Sequence, residues 1–104
     1  PEQATDLLRV ALVRGELLRD AQQYQRAYDA YTAALTDLPN NDDLLYARAM
    51  VSESMGRVDW LENDLGTILK DDPEHVQALN AMGYTLADQT DRYIEALGYI
   101  RRAM

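Results

Sequence analysis

Clustered carboxylates are the side chains in this sequence best suited to chemistry. They occur as Asp42–Asp43, as Asp71–Asp72–Glu74 beside the single histidine His75, and as Asp88 with Asp91. Such groups can bind a metal ion or exchange protons with a substrate. The first two clusters, however, stand where helices are expected to begin, and carboxylates there satisfy free N–H groups and favour the helix dipole. Capping is therefore the interpretation we adopt for them.

Other catalytic and cofactor motifs are missing from the sequence. It contains no cysteine, no Glu-x-x-His pair, no calcium-binding loop with a central glycine and no glycine-rich phosphate loop. Ser52 and Ser54 have no base nearby in the sequence to activate them. We therefore predict that the segment is not an enzyme and binds no cofactor or metal ion.

Length and charge restrict the remaining classes of function. The 104 residues suffice for one domain, with 47% hydrophobic and 27% charged residues. A net charge of −8 has the wrong sign for binding duplex nucleic acid or an anionic membrane surface. No run approaches the roughly 20 apolar residues of a membrane span. We expect a protein partner, with no nucleic acid and no membrane insertion by this segment.

Similar residue types recur along the chain at a fixed interval. This interval equals the number of positions from Pro39 to Pro73. The small residues Gly15, Ala49 and Gly83 share this interval. Three sets of apolar residues follow at equivalent positions of the three units. They are Ala27, Leu61 and Ala96, then Tyr31, Leu65 and Ile100, and finally Ala34, Ile68 and Ala103. The third unit fits after one inserted residue in the turn 87–91. Equal spacing of this kind predicts a stack of like units.

Within each unit the apolar spacing, in steps of three and four positions, is helical, and strand signals are absent. We predict an all-α fold with six helices, near 4–20, 23–37, 42–55, 58–70, 73–88 and 92–104. Asn41 is an expected N-cap, and Asp72 is expected to cap a helix with Pro73 at its first position.

The spacing and residue types resemble the tetratricopeptide repeat (TPR), a helix–turn–helix unit of about 34 residues. The matching residues are the small site at Gly15, Ala49 and Gly83, the large sites at Leu18, Leu45, Leu79 and Leu86, the second-helix residues Ala27, Tyr31, Ala34, Ala96 and Ala103, and the closing Pro39 and Pro73. The resemblance implies a right-handed α–α superhelix. We expect one TPR domain over 1–104, with repeats at about 8–41, 42–75 and an incomplete 76–104, as part of a longer array.

The middle repeat departs from the family pattern. Leu61 replaces a small residue, Ser52 replaces a large apolar one, and Gly66 interrupts a helix. Arg14 and Arg48 occupy a site that is usually leucine. We expect this repeat to pack less tightly than its neighbours.

A second resemblance is narrower and covers residues 78–97. This segment is similar to one found in TPR-rich outer-membrane lipoproteins of Gram-negative bacteria. Some members of that group act as adaptors for a carboxyl-terminal processing protease. The similarity implies a periplasmic or outer-membrane-associated location and an adaptor role in the envelope, although the cytoplasm remains the alternative.

Resemblance to the TPR family also places the partner-binding groove on the first helix of each repeat. The expected groove residues are Leu12, Glu16, Arg19, Tyr46, Met50, Glu53, Asn80, Tyr84 and Asp88. Large apolar groups among acids favour a neutral to basic polypeptide, extended or helical. Cations that would hold a terminal carboxylate are missing at the equivalent sites. The alternative is that Tyr46 and Tyr84 merely pack against the next helix and that the segment is an architectural spacer or dimerisation element.

The sequence does not decide what covers two further surfaces. Trp60 either packs beside Leu61 or forms a second contact surface. Leu86, Ile100 and Met104 are expected to be exposed at the last helix pair, where a further repeat or a second copy of the chain, giving a homo-oligomer, would cover them.

Overall fold

Six α-helices make up the fold in the computed structural model, which describes residues 2–104. They are α1 (Glu2–Asp20), α2 (Tyr24–Asp37), α3 (Asp42–Ser54), α4 (Val58–Asp71), α5 (Val76–Gln89) and α6 (Tyr93–Ala103). None of the described residues forms a strand. The all-α class and the number of helices are therefore confirmed.

The helices pack as three hairpins in a row. Each odd-numbered helix packs against the helix that follows it, and α3 and α5 also pack against the second helix of the preceding hairpin. The resulting stack measures 42 × 29 × 18 Å. Its elongated shape follows from the repeat, because each hairpin contacts only its neighbours.

Glycines allow the two helices of the outer hairpins to approach closely. A Cβ atom built on Gly15 would clash with Cζ of Tyr31, and one on Gly83 would lie 2.5 Å from Cγ1 of Ile100 and 2.9 Å from the carbonyl oxygen of Ala96. The two contacts occupy equivalent places, although the step from Gly83 to Ile100 is one position longer than the step from Gly15 to Tyr31. This difference agrees with the single inserted residue before α6.

The residues of the middle repeat that depart from the family pattern lie partly inside the stack. Leu61 and Ser52 are fully buried, and the Ser52 hydroxyl donates a hydrogen bond to the carbonyl of Arg48 at 2.9 Å. Residues of this hairpin belong to both apolar clusters of the core. Because the hairpin is covered on both sides, its substitutions are accommodated inside the stack.

Helix α3 begins as the sequence predicts, whereas α5 does not. The Asn41 side chain accepts a hydrogen bond from the Leu44 N–H at 3.1 Å. Pro73, however, lies in a turn and not at a first helical position, because the chain needs residues 72–75 to reverse direction between α4 and α5. Asp72 stabilises this turn by accepting from the Glu74 N–H at 3.2 Å. The N-cap is His75, whose Nδ1 accepts from the Ala78 N–H at 3.1 Å.

Replacing His75 by alanine is expected to lower the free energy of unfolding by about 1 kcal/mol, because the Ala78 N–H loses its acceptor. His75→Asn should keep most of the stability, since the amide oxygen can accept in the same place. Urea denaturation at pH 7.5 measures both variants. Equal stability of wild type and His75→Ala would contradict the capping role.

The expected exposure of the last hairpin is partly wrong. Leu86 is fully buried in the core cluster that joins α3 to α6, and Ile100 is half-buried beside Gly83. Only Met104 is exposed as expected, at 96%. The inserted residue before α6 does not disturb the packing of its hairpin, so Leu86 reaches the core. Among the described helices, none has both the length and the apolar character to cross a membrane.

Candidate functional site

A groove of about 410 Å³ lies between α3 and α5 on the face formed by first helices. We call it the α3–α5 groove. Its lining residues are Tyr46, Met50, Glu53, Gln77, Asn80, Ala81, Tyr84 and Thr85. Five of the nine residues expected to bind a partner are thus brought together.

The repeat itself positions these residues. Tyr46 and Met50 lie one turn apart on α3, and Asn80 and Tyr84 hold the same positions one repeat later on α5. Equivalent positions on neighbouring parallel units face the same side. The groove is therefore a product of the stacking, which explains why spacing alone could select its residues.

The two groove tyrosines differ in exposure. Tyr46 and Met50 are half-buried and pack against the core cluster. Tyr84 is 62% exposed and belongs to neither apolar cluster. The interpretation that these rings only pack against neighbouring helices therefore suits Tyr46 but not Tyr84.

Polar groups occupy one end and the middle of the groove. At the end, the Gln89 amide donates to the main-chain oxygen and to Oε1 of Glu53, at 3.3 and 3.4 Å, which ties α5 to α3. In the middle, the half-buried Asn80 amide makes no hydrogen bond within residues 2–104. An amide free in this way can donate to and accept from the backbone of a bound segment.

The expected groove residues of the first hairpin lie apart from this cavity. Leu12 is half-buried on the apolar cluster of α1 and α2. Glu16 and Arg19 are exposed on α1, and their charges act on Tyr31: its pKa is raised by burial and by Glu16 and Asp20, while Arg19 opposes the increase. On α5, Asp88 is exposed outside the cavity lining. Tyr31 fills the space above Gly15, so this end of the first-helix face presents charge around a buried ring.

The charge of the α3–α5 groove comes from one residue. Glu53 is the only ionised side chain among its lining residues, and none of them is cationic. The groove therefore offers no cationic partner for a free carboxylate. Elsewhere in the described chain, no three carboxylate or histidine side chains are grouped to hold a metal ion.

Trp60 lies on the opposite side of the stack. Its ring packs on Tyr28 with centroids 4.7 Å apart, and the guanidinium of Arg57 covers it at 3.7 Å from the centroid. The half-buried ring thus joins α4 to α2. Of the two sequence interpretations, the contacts favour packing.

Beside these rings lies a buried ion pair that was not predicted from the sequence. Arg48 donates to both carboxylate oxygens of Asp64, at 2.8 and 2.7 Å, and also to the hydroxyl of Thr32 at 3.0 Å. The side chains of Arg48 and Asp64 are 15% and 2% exposed. Hydrogen bonding to Asp64 is the main cause that raises the pKa of Arg48, with burial acting against it. The sequence signal for this ion pair is Arg48 at a site that is usually leucine, together with Asp64 at the opposing position of the facing helix.

Comparisons with known proteins agree with the repeat geometry. No family model matches the chain. A TPR repeat-containing protein of Pseudomonas aeruginosa is 36% identical over 102 residues, which is 98% of this chain. The chain spans only 17% of the length of that relative.

Solved structures share the fold at low sequence identity. The TPR domain of Sgt2 from Aspergillus fumigatus superposes with a TM-score of 0.83 at 23% identity, over 99% of this chain and 65% of the other. The second TPR of Spaghetti (RPAP3), bound to the HSP90 peptide SRMEEVD, gives 0.83 at 19% identity, over 99% and 96%. The six helices, the constant repeat interval and these similarities show that the chain has the tetratricopeptide repeat fold and is similar in sequence to a TPR repeat-containing protein.

Proposed function

We propose that this chain is a protein-interaction scaffold that binds a polypeptide segment in the α3–α5 groove. The observation that carries the proposal is the exposed ring of Tyr84 beside Met50, Tyr46 and the free amide of Asn80. Tyrosine gives a large contact area at a small cost in conformational entropy, and methionine adapts to irregular surfaces. A groove with these groups suits apolar anchors of a partner whose backbone bonds to Asn80.

The partner segment is proposed to be neutral to basic and internal to its own chain. Glu53 is the single charge of the groove lining and attracts a lysine or arginine. A terminal carboxylate would meet that acid and find no cation. The peptide bound to the second TPR of Spaghetti is acidic, as its sequence SRMEEVD shows. Conservation of the fold is therefore compatible with a different partner chemistry here.

A finer proposal concerns the protein that carries this domain. We propose that residues 1–104 form one TPR domain within a longer bacterial array that acts as an envelope adaptor for a protease. Support comes from the similarity of residues 78–97 to outer-membrane lipoproteins and from a Pseudomonas relative of much greater length. Fractionation of cells and affinity capture with the full-length protein test it. A cytoplasmic location without a protease in the capture would contradict it.

Replacing Tyr84 by alanine is expected to weaken binding of a groove ligand at least tenfold, because exposed aromatic anchors of this kind carry much of the binding energy. Ligands would be selected from a displayed library of random peptides on the intact chain and measured by fluorescence anisotropy. Tyr93→Ala is the matched control, since Tyr93 is 61% exposed but lies on α6. It should leave the affinity unchanged.

The architectural alternative makes the opposite prediction for the same experiment. A spacer or dimerisation element would select no peptide, or peptides that lose affinity equally in the Tyr84→Ala and Tyr93→Ala variants. Either result would contradict the groove proposal.

A further inference from the structure

The α3–α5 groove contains a buried hydroxyl that forms no hydrogen bond within residues 2–104, that of Thr85. This residue is only 6% exposed and lines the groove from α5. The helical hydroxyls of Thr32, Ser52 and Thr67, in contrast, donate to main-chain carbonyls one turn earlier, at 2.9, 2.9 and 3.0 Å. No side-chain oxygen or nitrogen of the described chain is both fully enclosed and unpaired. The Thr85 hydroxyl is therefore accessible from the groove.

Packing does not require a hydroxyl at this position. One repeat earlier the position is occupied by Val51, which is fully buried in the core. Valine has the same branched shape as threonine but lacks the polar group. A hydroxyl that leaves water without gaining a hydrogen bond destabilises the fold, and a ligand that bonds to it removes that penalty. Thr85 therefore suits the recognition of a ligand better than it suits the core.

A carboxylate held in place lies at the same end of the groove. Glu53 is half-buried in the last turn of α3, and the Gln89 amide donates to its Oε1 at 3.4 Å. Its Oε2 accepts no hydrogen bond, and Glu53 forms no ion pair with any described residue. Thr85 lies one turn before Gln89 on α5. The free oxygen of Glu53 and the hydroxyl of Thr85 are thus two acceptors at one end of the groove.

The surrounding charges favour a cation at this end. Helices α3 and α5 both end here without a basic residue in the last turn, so the negative ends of their dipoles are not compensated. Arg57 and Arg92, which follow the two helices, form ion pairs with other acids. Arg19 holds the position of Glu53 on α1 and makes no ion pair with it, and the exposed Asp88 adds a further negative charge.

The arrangement of acceptors suits an ammonium group better than a guanidinium. Arg48 pairs with both oxygens of Asp64, and this two-pronged geometry requires a carboxylate with both oxygens free. At Glu53 the amide of Gln89 already occupies one oxygen. An ammonium group carries three N–H donors that point in separate directions, so it can reach the remaining oxygen and the hydroxyl of Thr85 together.

We propose that the α3–α5 groove selects a lysine of the partner protein, whose ammonium group binds between Oε2 of Glu53 and the hydroxyl of Thr85. The aliphatic stem of this lysine lies along Met50, which lines the groove one turn before Glu53. The inference rests on the proposed function and adds the identity of the charged side chain. The lysine is not one of this chain in place, since its single lysine, Lys70, is exposed at the end of α4.

Peptides selected from the displayed random library on the intact chain test the inference. A bound peptide is synthesised again with its anchoring lysine replaced by arginine or by norleucine, which has no charge. The lysine peptide is expected to bind about tenfold more tightly than the norleucine peptide and about threefold more tightly than the arginine peptide. Fluorescence anisotropy gives the three affinities.

Two substitutions assign the effect to its acceptors. Glu53→Gln should lower the affinity of the lysine peptide to that of the norleucine peptide. Glu74→Gln, the same change at an exposed acid in the turn before α5, is the control and should behave as wild type. Thr85→Val should weaken only the lysine peptide, by about threefold. Its control is Thr67→Val on α4, and burial of Val51 at the equivalent position indicates that the fold tolerates the change, which circular dichroism checks.

Gln89 acts through Glu53, so its substitution should change selectivity and not only affinity. Gln89→Leu releases the second oxygen of Glu53, and the preference for lysine over arginine should then disappear. An unchanged preference would contradict the role of Gln89 in positioning the carboxylate.

Failure of the lysine site can be separated from failure of the groove. Selected peptides that lack lysine, or a Glu53→Gln effect no larger than that of Glu74→Gln, would overturn the site, while loss of affinity in Tyr84→Ala would still show binding in the groove. A lysine peptide that binds the intact chain but not the full-length protein would overturn the partner as the source, because the protein's own chain would then fill the groove. A dimer in sedimentation velocity that Lys70→Met dissociates would overturn it in favour of a second copy.

Discussion

Replacing Asp64 by alanine is expected to lower the free energy of unfolding by about 3–5 kcal/mol, the largest effect we expect of any single substitution in this chain. The substitution leaves the guanidinium of Arg48, whose side chain is 15% exposed, without its two strongest hydrogen bonds. The hydroxyl of Thr32 alone remains to accept a hydrogen bond from that group. Since small domains have a total stability of about 5–15 kcal/mol, this loss is a large fraction of the stability of the chain.

A double variant separates the cost of an unpaired charge from the contribution of the ion pair. Arg48→Met with Asp64→Leu removes both charges and keeps apolar volume, so its stability should return to within about 1–2 kcal/mol of wild type. Chemical denaturation monitored at Trp60 measures all three proteins. A double variant as unstable as Asp64→Ala would mean that the pair itself, and not the orphaned arginine, stabilises the stack.

Gly83→Ala is expected to destabilise the fold by about 1–3 kcal/mol, because overpacking forces neighbouring groups apart. The new Cβ would lie 2.9 Å from the carbonyl oxygen of Ala96 and 2.5 Å from Ile100, so α5 and α6 would have to separate. The higher helix propensity of alanine offsets part of that cost. Gly66→Ala is the matched control, because Gly66 is also helical but has open space where the Cβ would be built.

The control should change stability in the opposite direction. Gly66→Ala is expected to raise the free energy of unfolding by about 1 kcal/mol, since it gains propensity without any contact. Thermal denaturation of both variants gives the comparison. If both substitutions stabilised the protein, the close approach of α5 and α6 at Gly83 would be refuted.

The repeat was predictable from sequence because its physical requirements recur at a fixed interval. Gly15 and Gly83 are small for the same reason, which is that Tyr31 and Ile100 lie against them. The start of α3 was also predictable, since the Asn41 side chain accepts the capping hydrogen bond without help from another helix. These features depend on local sequence and on neighbours at known spacing.

Features that depend on several helices at once were not predictable in the same way. The role of His75 as a cap required the turn around Pro73, which the sequence alone did not distinguish from a helix start. The pairing of Arg48 with Asp64 required two helices to place opposite charges in one buried position. Arg48 departs from the family pattern, and only the position of Asp64 on the facing helix explains why an arginine is accommodated there.

The candidate groove was predictable in its centre and less so at its ends. The positions of Tyr46 and Met50 are occupied one repeat later by Asn80 and Tyr84, and all four residues line one cavity. Leu12 does not, because it packs on the cluster between α1 and α2. Spacing gives the face of a helix, whereas the shape of a cavity depends on how large the residues of the adjacent hairpin are.

Chemical-shift mapping of the ¹⁵N-labelled chain with a library-selected peptide tests the function of the groove most directly. Shifts are expected to concentrate on α3 and α5, at Tyr46, Met50, Asn80 and Tyr84, with the Asn80 side-chain amide among the largest. Shifts confined to α2, α4 and α6 would contradict it, as would the absence of any selected peptide.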